Sequence, residues 1–267
     1  NGKWLAANPV PGDRTSWGAL EMLNERSIGV QHQLAEQAAA DADATGVEKI
    51  VGDIWATGMD EAAINAQGIA PIQDHLDAIA RLDGTEAIAE YLRTTAAKGQ
   101  NFLFGFGAEA DFKDSSMNMG FAMQGGLGLP DKGYYFDEDK KEKLDAYRQH
   151  VAKVLELSGV PADDAAEQAE SVIAFETRLA KVSKSSEEMS RDVSLFYNPV
   201  TMEEADELTP NFPWTKFFES QGIAPQEKFS LAIPAFHEEV SKMLADTAPA
   251  TWQAYLRFHT VDGASPY

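Results

Sequence analysis

Five histidines, no cysteine and a large excess of carboxylates define the chemistry open to this 267-residue chain. A zinc hydrolase of the commonest helical type needs His-Glu-x-x-His. Two imidazoles one turn apart hold the metal, and the Glu serves as general base. Only His237-Glu238 begins that pattern, and Ser241 stands where the second His should be. A hydroxyl does not replace an imidazole on zinc. The other histidines, at 32, 75, 150 and 259, are not at ligand spacing either. Thiolate metal sites, disulfides and thiol nucleophiles are excluded by the lack of cysteine. No Gly-x-Ser-x-Gly nucleophile turn occurs. Gly105-Phe106-Gly107 and Gly125-Gly126-Leu127-Gly128 lack the context and the Lys of a phosphate-binding loop. The adjacent carboxylates at 187–188, 203–204 and 238–239 are what an acidic surface contains by chance. From these residues the sequence predicts no catalytic group and no metal ligand within the chain.

The formal charge is −21, which opposes binding to nucleic acid or to anionic lipid. Hydrophobic residues make up 44%, enough for a folded core. No apolar run reaches the ~18 residues of a membrane-spanning helix, and no signal peptide is seen at the start.

The elements that would position any site are mainly helical. Val47, Ile50, Val51, Ile54 and Trp55 share one helix face, as do Leu144, Tyr147, Val151, Val154 and Leu155. The latter helix is expected from about Asp137 to Gly159. A third runs from about Asp163 to Val182, with Val172, Phe175 and Leu179 inward. Residues 13–40 are also helix-like, with Trp17, Leu20, Leu23 and Leu34 apolar. Thr85 is placed to cap a helix ending near Gly99, and Thr201 and Glu204 form a capping-box pair. Pro234 suits a first helical turn, and Trp252, Tyr255, Leu256 and His259 mark a last helix. Residues 101–124, rich in Phe, Gly and Met, alternate instead and predict a small β-hairpin. No repeat or Pro/Ser-rich linker interrupts residues 1–267, so the expected fold is mainly α: one multi-helix domain carrying that hairpin.

Asn1-Gly2-Lys3-Trp4-Leu5, Pro11 and Trp17-Gly18 at the start, and residues 53–65 further on, resemble the opening and the next helix of the neprilysin-like zinc metallopeptidases of bacterial type. Residues 124–135, from Gln124 through Gly126-Leu127-Gly128-Leu129-Pro130-Asp131 to Tyr134-Tyr135, are similar to its longest signature. Glu176 with Leu179-Ala180, Arg191, Tyr197-Asn198, Trp214, Tyr255-Leu256-Arg257 and 264–267 follow in the family's order.

The resemblance implies the amino-terminal, non-catalytic domain of an enzyme whose zinc-binding segment lies carboxy-terminal to residue 267. The parent would be a zinc metalloendopeptidase that hydrolyses oligopeptides. This half would cap the active-site cavity, help select substrates by size and be inactive alone. Zinc would belong to the parent, with none bound by this chain. The implied partners are its own catalytic domain and oligopeptides, with self-association through the exposed domain interface. A periplasmic or extracellular location follows by analogy. Relatives carry two substrate-contacting Arg in the opening segment. Ser16 and Asn24 stand there in this chain, so that role is not carried over. Arg14, Trp17 and Glu21 lie close by and are the candidate substrate-cleft residues. The alternative is a stand-alone helical module that binds peptides or proteins without catalysis.

Overall fold

The computed structural model describes residues 1–224 and 226–264, so the family-like Ser265-Pro266-Tyr267 ending lies outside the described residues. The chain is mainly helical with one small sheet, and it divides into two compact units. The first spans Asn1–Ala70 and the second starts at Pro71. No change of composition marks the division, so the sequence reads as continuous there.

The first unit holds α1 (Gly2–Ala7), α2 (Ala19–Ala40), α3 (Gly46–Met59) and α4 (Glu61–Gln67). The second begins with α5 (Gln73–Ala80) and α6 (Thr85–Ala96), followed by strands β1 (Phe104–Ala110) and β2 (Asn118–Gln124). Then come α7 (Lys141–Leu157), α8 (Ala162–Val182) and α9 (Ser186–Arg191). Strand β3 (Pro199–Val200) precedes α10 (Met202–Leu208) and α11 (Trp214–Ser220). The chain continues with β4 (Phe229–Leu231), α12 (Pro234–Asp246) and α13 (Pro249–Ala264).

In the second unit the expected faces are buried. Tyr147, Val151, Val154 and Leu155 of α7 meet Val172, Phe175 and Leu179 of α8 and Trp252, Tyr255 and Leu256 of α13 in one core. α7 stops in a Schellman motif: Gly159, at φ +93°, donates to Glu156 O, and Val160 donates to Leu155 O. Thr201 and Glu204 form the capping box of α10. Pro234 opens α12.

Three starts differ. α2 begins at Ala19 because extended Gly18 precedes it, not at Asp13. α7 begins at Lys141, after a 3-10 turn over Glu138–Lys140. Thr85 is the first helical residue of α6 rather than its cap, and its hydroxyl donates to Leu244 O at 2.9 Å.

The hairpin is present, with Phe104 paired to Gln124 and Ala110 to Asn118. It belongs to a four-stranded sheet of order β1-β2-β4-β3, in which β2 and β4 run parallel. Phe104 and Phe106 point inward against Trp214, Phe217 and Phe218.

The first unit departs most from expectation. Among the described residues the apolar face of α3 is largely uncovered: Val47 is 75% exposed and Ile54 68%. Leu20, Leu23 and Leu34 of α2 are exposed as well. α2 and α3 are joined by close backbone approach and by His32 and half-buried Trp55, whose rings stand 4.8 Å apart. A Cβ on Gly52 would stand 2.5 Å from Ala38 O, and Ala35 and Ala38 are buried there.

Candidate functional site

The opening segment places the candidate cleft residues around the first turns of α2. Glu21 is the third helical residue, where backbone N–H groups lack intrahelical acceptors. Its carboxyl is held below the usual carboxylate range by its own backbone N–H and by the Ser16 hydroxyl, which donates to Oε1 at 2.9 Å. Gly18 leaves room for this, since a Cβ there would approach Glu21 Oε2 to 3.0 Å. The Arg14 guanidinium pairs with Glu25, one turn further along α2, and lies 3.6 Å from Asp13. Trp17 is half-buried. Arg14 and Glu21 therefore share one end of α2 but engage different partners. The cluster can offer a peptide one guanidinium and three carboxylates, those of Asp13, Glu21 and Glu25, at an exposed helix start. It supplies no aligned nucleophile and base.

Sequence reasoning missed a second cluster. Glu176 of α8 is fully buried. Its Oε2 accepts from the Tyr135 hydroxyl at 2.7 Å and its Oε1 from the Tyr147 hydroxyl at 3.0 Å, with His259 Nε2 at 2.8 Å from Oε1. Burial, then the neighbouring Glu176 charge, raises the phenol pKa of Tyr135, Tyr147 and Tyr255. The sequence names these residues singly, Glu176, Tyr135 and Tyr255 in the family-like stretches and Tyr147 and His259 on helix faces, and nothing in their spacing joins them.

The family-like signature folds around this cluster. Tyr255 donates its hydroxyl toward Phe102 O at 2.7 Å and Gly126 O at 2.9 Å. Leu129 N–H donates to the Tyr135 hydroxyl at 3.2 Å. Gly126 (φ +83°) and Gly128 are required by packing: Cβ atoms there would stand 2.8 Å from the Tyr255 hydroxyl and 1.8 Å from that of Tyr147. The Gln124 side chain exchanges two 2.7 Å hydrogen bonds with the Lys184 backbone, and Asp131 accepts from Gly133 N and Ser186 N. The cluster thus clamps a loop. A carboxylate so enclosed has no free face for a reactant.

Among the described residues, no group of three His, Asp or Glu side chains could hold a metal ion. His237 of the partial His-Glu pattern is buried among Phe104, Trp214 and Phe236, and burial lowers its pKa to about 4. Ser241 Oγ accepts from Asn211 N–H. These residues do not fit a zinc site.

Comparison with known proteins places the whole arrangement. The amino-terminal model of Peptidase family M13 matches residues 1–267. Endothelin-converting enzyme 1 of Cavia porcellus and that of Mus musculus are each 27% identical over 278 residues, covering 100% of this chain and 36% of the relative. The chain therefore spans little more than a third of the curated relatives it matches. The inhibitor complex of Mycobacterium tuberculosis zinc metalloprotease Zmp1 superposes with a TM-score of 0.89 at 28% identity, over 100% of this chain and 41% of that one. PepO from Lactobacillus rhamnosis shares the fold, with a TM-score of 0.83 at 19% identity over 100% of this chain and 42% of that one. The zinc-metallopeptidase resemblance read from residues 1–267 is upheld: this chain belongs to Peptidase family M13.

Proposed function

We propose that this chain is the non-catalytic half of a zinc-dependent metalloendopeptidase acting on oligopeptides. In that enzyme it caps the active-site cavity and limits entry to short, unfolded chains. The supporting observation is a family match along all 267 residues that reaches only 36% of the length of its relatives. The exposed apolar faces of α2 and α3 agree with it, because a face of this size on one helical hairpin suits a protein interface. The partner for that face is the parent's own catalytic domain, and the face self-associates when that domain is lacking. Zinc is held by the catalytic domain, outside this chain. Arg14, Trp17 and Glu21 contribute to the substrate cleft through charge and one aromatic surface. The parent works in the periplasm or outside the cell.

The purified 267-residue chain should cleave no fluorogenic oligopeptide when zinc is added; zinc-stimulated turnover would refute the proposal. The reading frame beyond Tyr267 should continue into His-Glu-x-x-His, and a stop codon there would favour a binding module instead.

A further inference from the structure

Strand β1 lies at the edge of the sheet, and among the described residues no strand pairs with its outer side. Asp111 N–H bonds to Met117 O at 2.9 Å, so odd-numbered residues of β1 face β2 with their backbone groups. The N–H and C=O groups of Phe106, Ala108 and Ala110 accordingly point away from the sheet. Residues 107–110 are exposed along this edge.

The two faces of the hairpin differ sharply. On the inner face Phe104 and Phe106 enter the core. On the outer face the corresponding positions are Gly105 and Gly107, and a Cβ at either would meet nothing within 4 Å. Neither packing nor a positive φ calls for glycine at these positions. Glycine inside a strand weakens it and often marks close approach by another backbone. Beside the stripped strand lies a concavity of about 700 Å³ whose walls include Phe112, Phe121, Met123, Val193 and Phe196. Phe112 is half exposed, although it stacks near Phe121 and Tyr197. The rim is acidic: Glu109 and Asp111 border the hollow, and Asp114 and Asp192 lie next to wall residues in sequence. The basic group nearby is Lys113, which sits over the Tyr197 ring at 5.0 Å.

We propose that the β1 edge and this hollow form a docking groove for an extended peptide in which apolar residues alternate with basic ones. The peptide adds a strand to β1 through the free groups of Phe106, Ala108 and Ala110. Its apolar side chains fill the space left over Gly105 and Gly107, and its basic ones meet Glu109 and the acidic rim. The groove lies within the second unit, and the inference holds whether or not the peptidase reading does.

The test uses the whole 267-residue chain and a fluorescein-labelled, capped octapeptide of alternating leucine and lysine, read by anisotropy. Ala108→Pro removes one outward N–H and leaves the β1–β2 ladder intact. Gly107→Leu fills the hollow. Ala108→Pro should weaken binding about fivefold, and Gly107→Leu and N-methylation of alternate peptide residues, which each remove several contacts, about tenfold or more. Amide exchange at Ala108 and Ala110 should slow on binding. If Ala108→Pro fails to fold, the N-methylated peptide on the unaltered chain decides. Equal affinity for both peptides, or binding abolished by salt yet indifferent to Gly107→Leu, would overturn the proposal. So would a concentration-dependent dimer, dissolved by Ala108→Pro, that excludes the peptide, because the occupant would then be a second copy.

Discussion

Replacing Glu176 tests whether the clamp around the signature loop holds the second unit together. The side chain is fully buried and engages two phenols and one imidazole at 2.7–3.0 Å. Glu176→Ala leaves these groups facing a cavity. Breaking a buried charged network by removing one member costs about 3–5 kcal/mol. For a unit of this size each kcal/mol lowers Tm by roughly 2–4 °C. The expected loss is therefore about 6–20 °C. Glu176→Gln keeps one acceptor oxygen and turns an amide donor toward a phenol, so it should lose only about 1–2 kcal/mol. Circular dichroism melts and urea titrations of the three proteins measure the order: unaltered chain, then Gln, then Ala. In a Tyr135→Phe, Tyr147→Phe background the Ala substitution should cost less, because fewer donors are stranded. An Ala variant within about 1 kcal/mol of the unaltered chain, or no difference between the two backgrounds, would refute a clamp.

The remaining predictions address particular contacts. Gly128→Ala should lower Tm, since its Cβ would fall 1.8 Å from the Tyr147 hydroxyl; combined with Tyr147→Phe the losses should sum to less than the two singles, whereas full additivity in melts would contradict the clash. His237 has a folded pKa of about 4 against 6.5 for a free imidazole. Its contribution is complete above about pH 6.5 and is lost as pH falls toward 4, by about 3 kcal/mol; urea titrations of His237→Leu across that range should show a shallower pH dependence than the unaltered chain, and parallel curves would sink the idea. Val47→Ser with Ile54→Ser should leave stability of the 267-residue chain within about 0.5 kcal/mol, because both side chains are exposed; a large loss in thermal melts would mean they are buried after all. Gly52→Ala should loosen α2 from α3, seen as faster proteolysis within residues 1–70, since its Cβ would meet Ala38 O at 2.5 Å.

Period and punctuation made most helices legible. α7 and α8 carry long stripes, and Gly159 stops α7 through a bond pattern its residue type foretells. The hairpin was legible because alternation persists over seven residues in each strand. Strands β3 and β4 have two and three residues, too few for any period, and exist because the sheet edge receives them. Ser230, buried in β4, accepts from Asn198 N and donates to Phe196 O, bonds that only the tertiary fold brings within reach.

The stripe on α3 shows what a helical period leaves undetermined. Periodicity states that Val47, Ile50, Val51 and Ile54 share a face, and says nothing of what covers it. Among the described residues nothing does at Val47 or Ile54, while α3 meets α2 through a glycine that no hydrophobic pattern would single out and through the His32–Trp55 ring contact. Glu176 inverts the case: a charge on an apolar face reads as an error until the phenols that satisfy it converge from residues 135 and 147. Arg14 and Glu21 illustrate a third limit. Each already has an intramolecular partner at the start of α2, so a substrate reaching them must compete with Glu25 and Ser16. If these residues line the cleft as proposed, they would recognise peptides by giving up one exposed ion pair and one hydroxyl hydrogen bond for new contacts, which would make selection weak and, at Arg14, salt-sensitive. Strong discrimination would then have to come from shape, the property the proposed cap supplies.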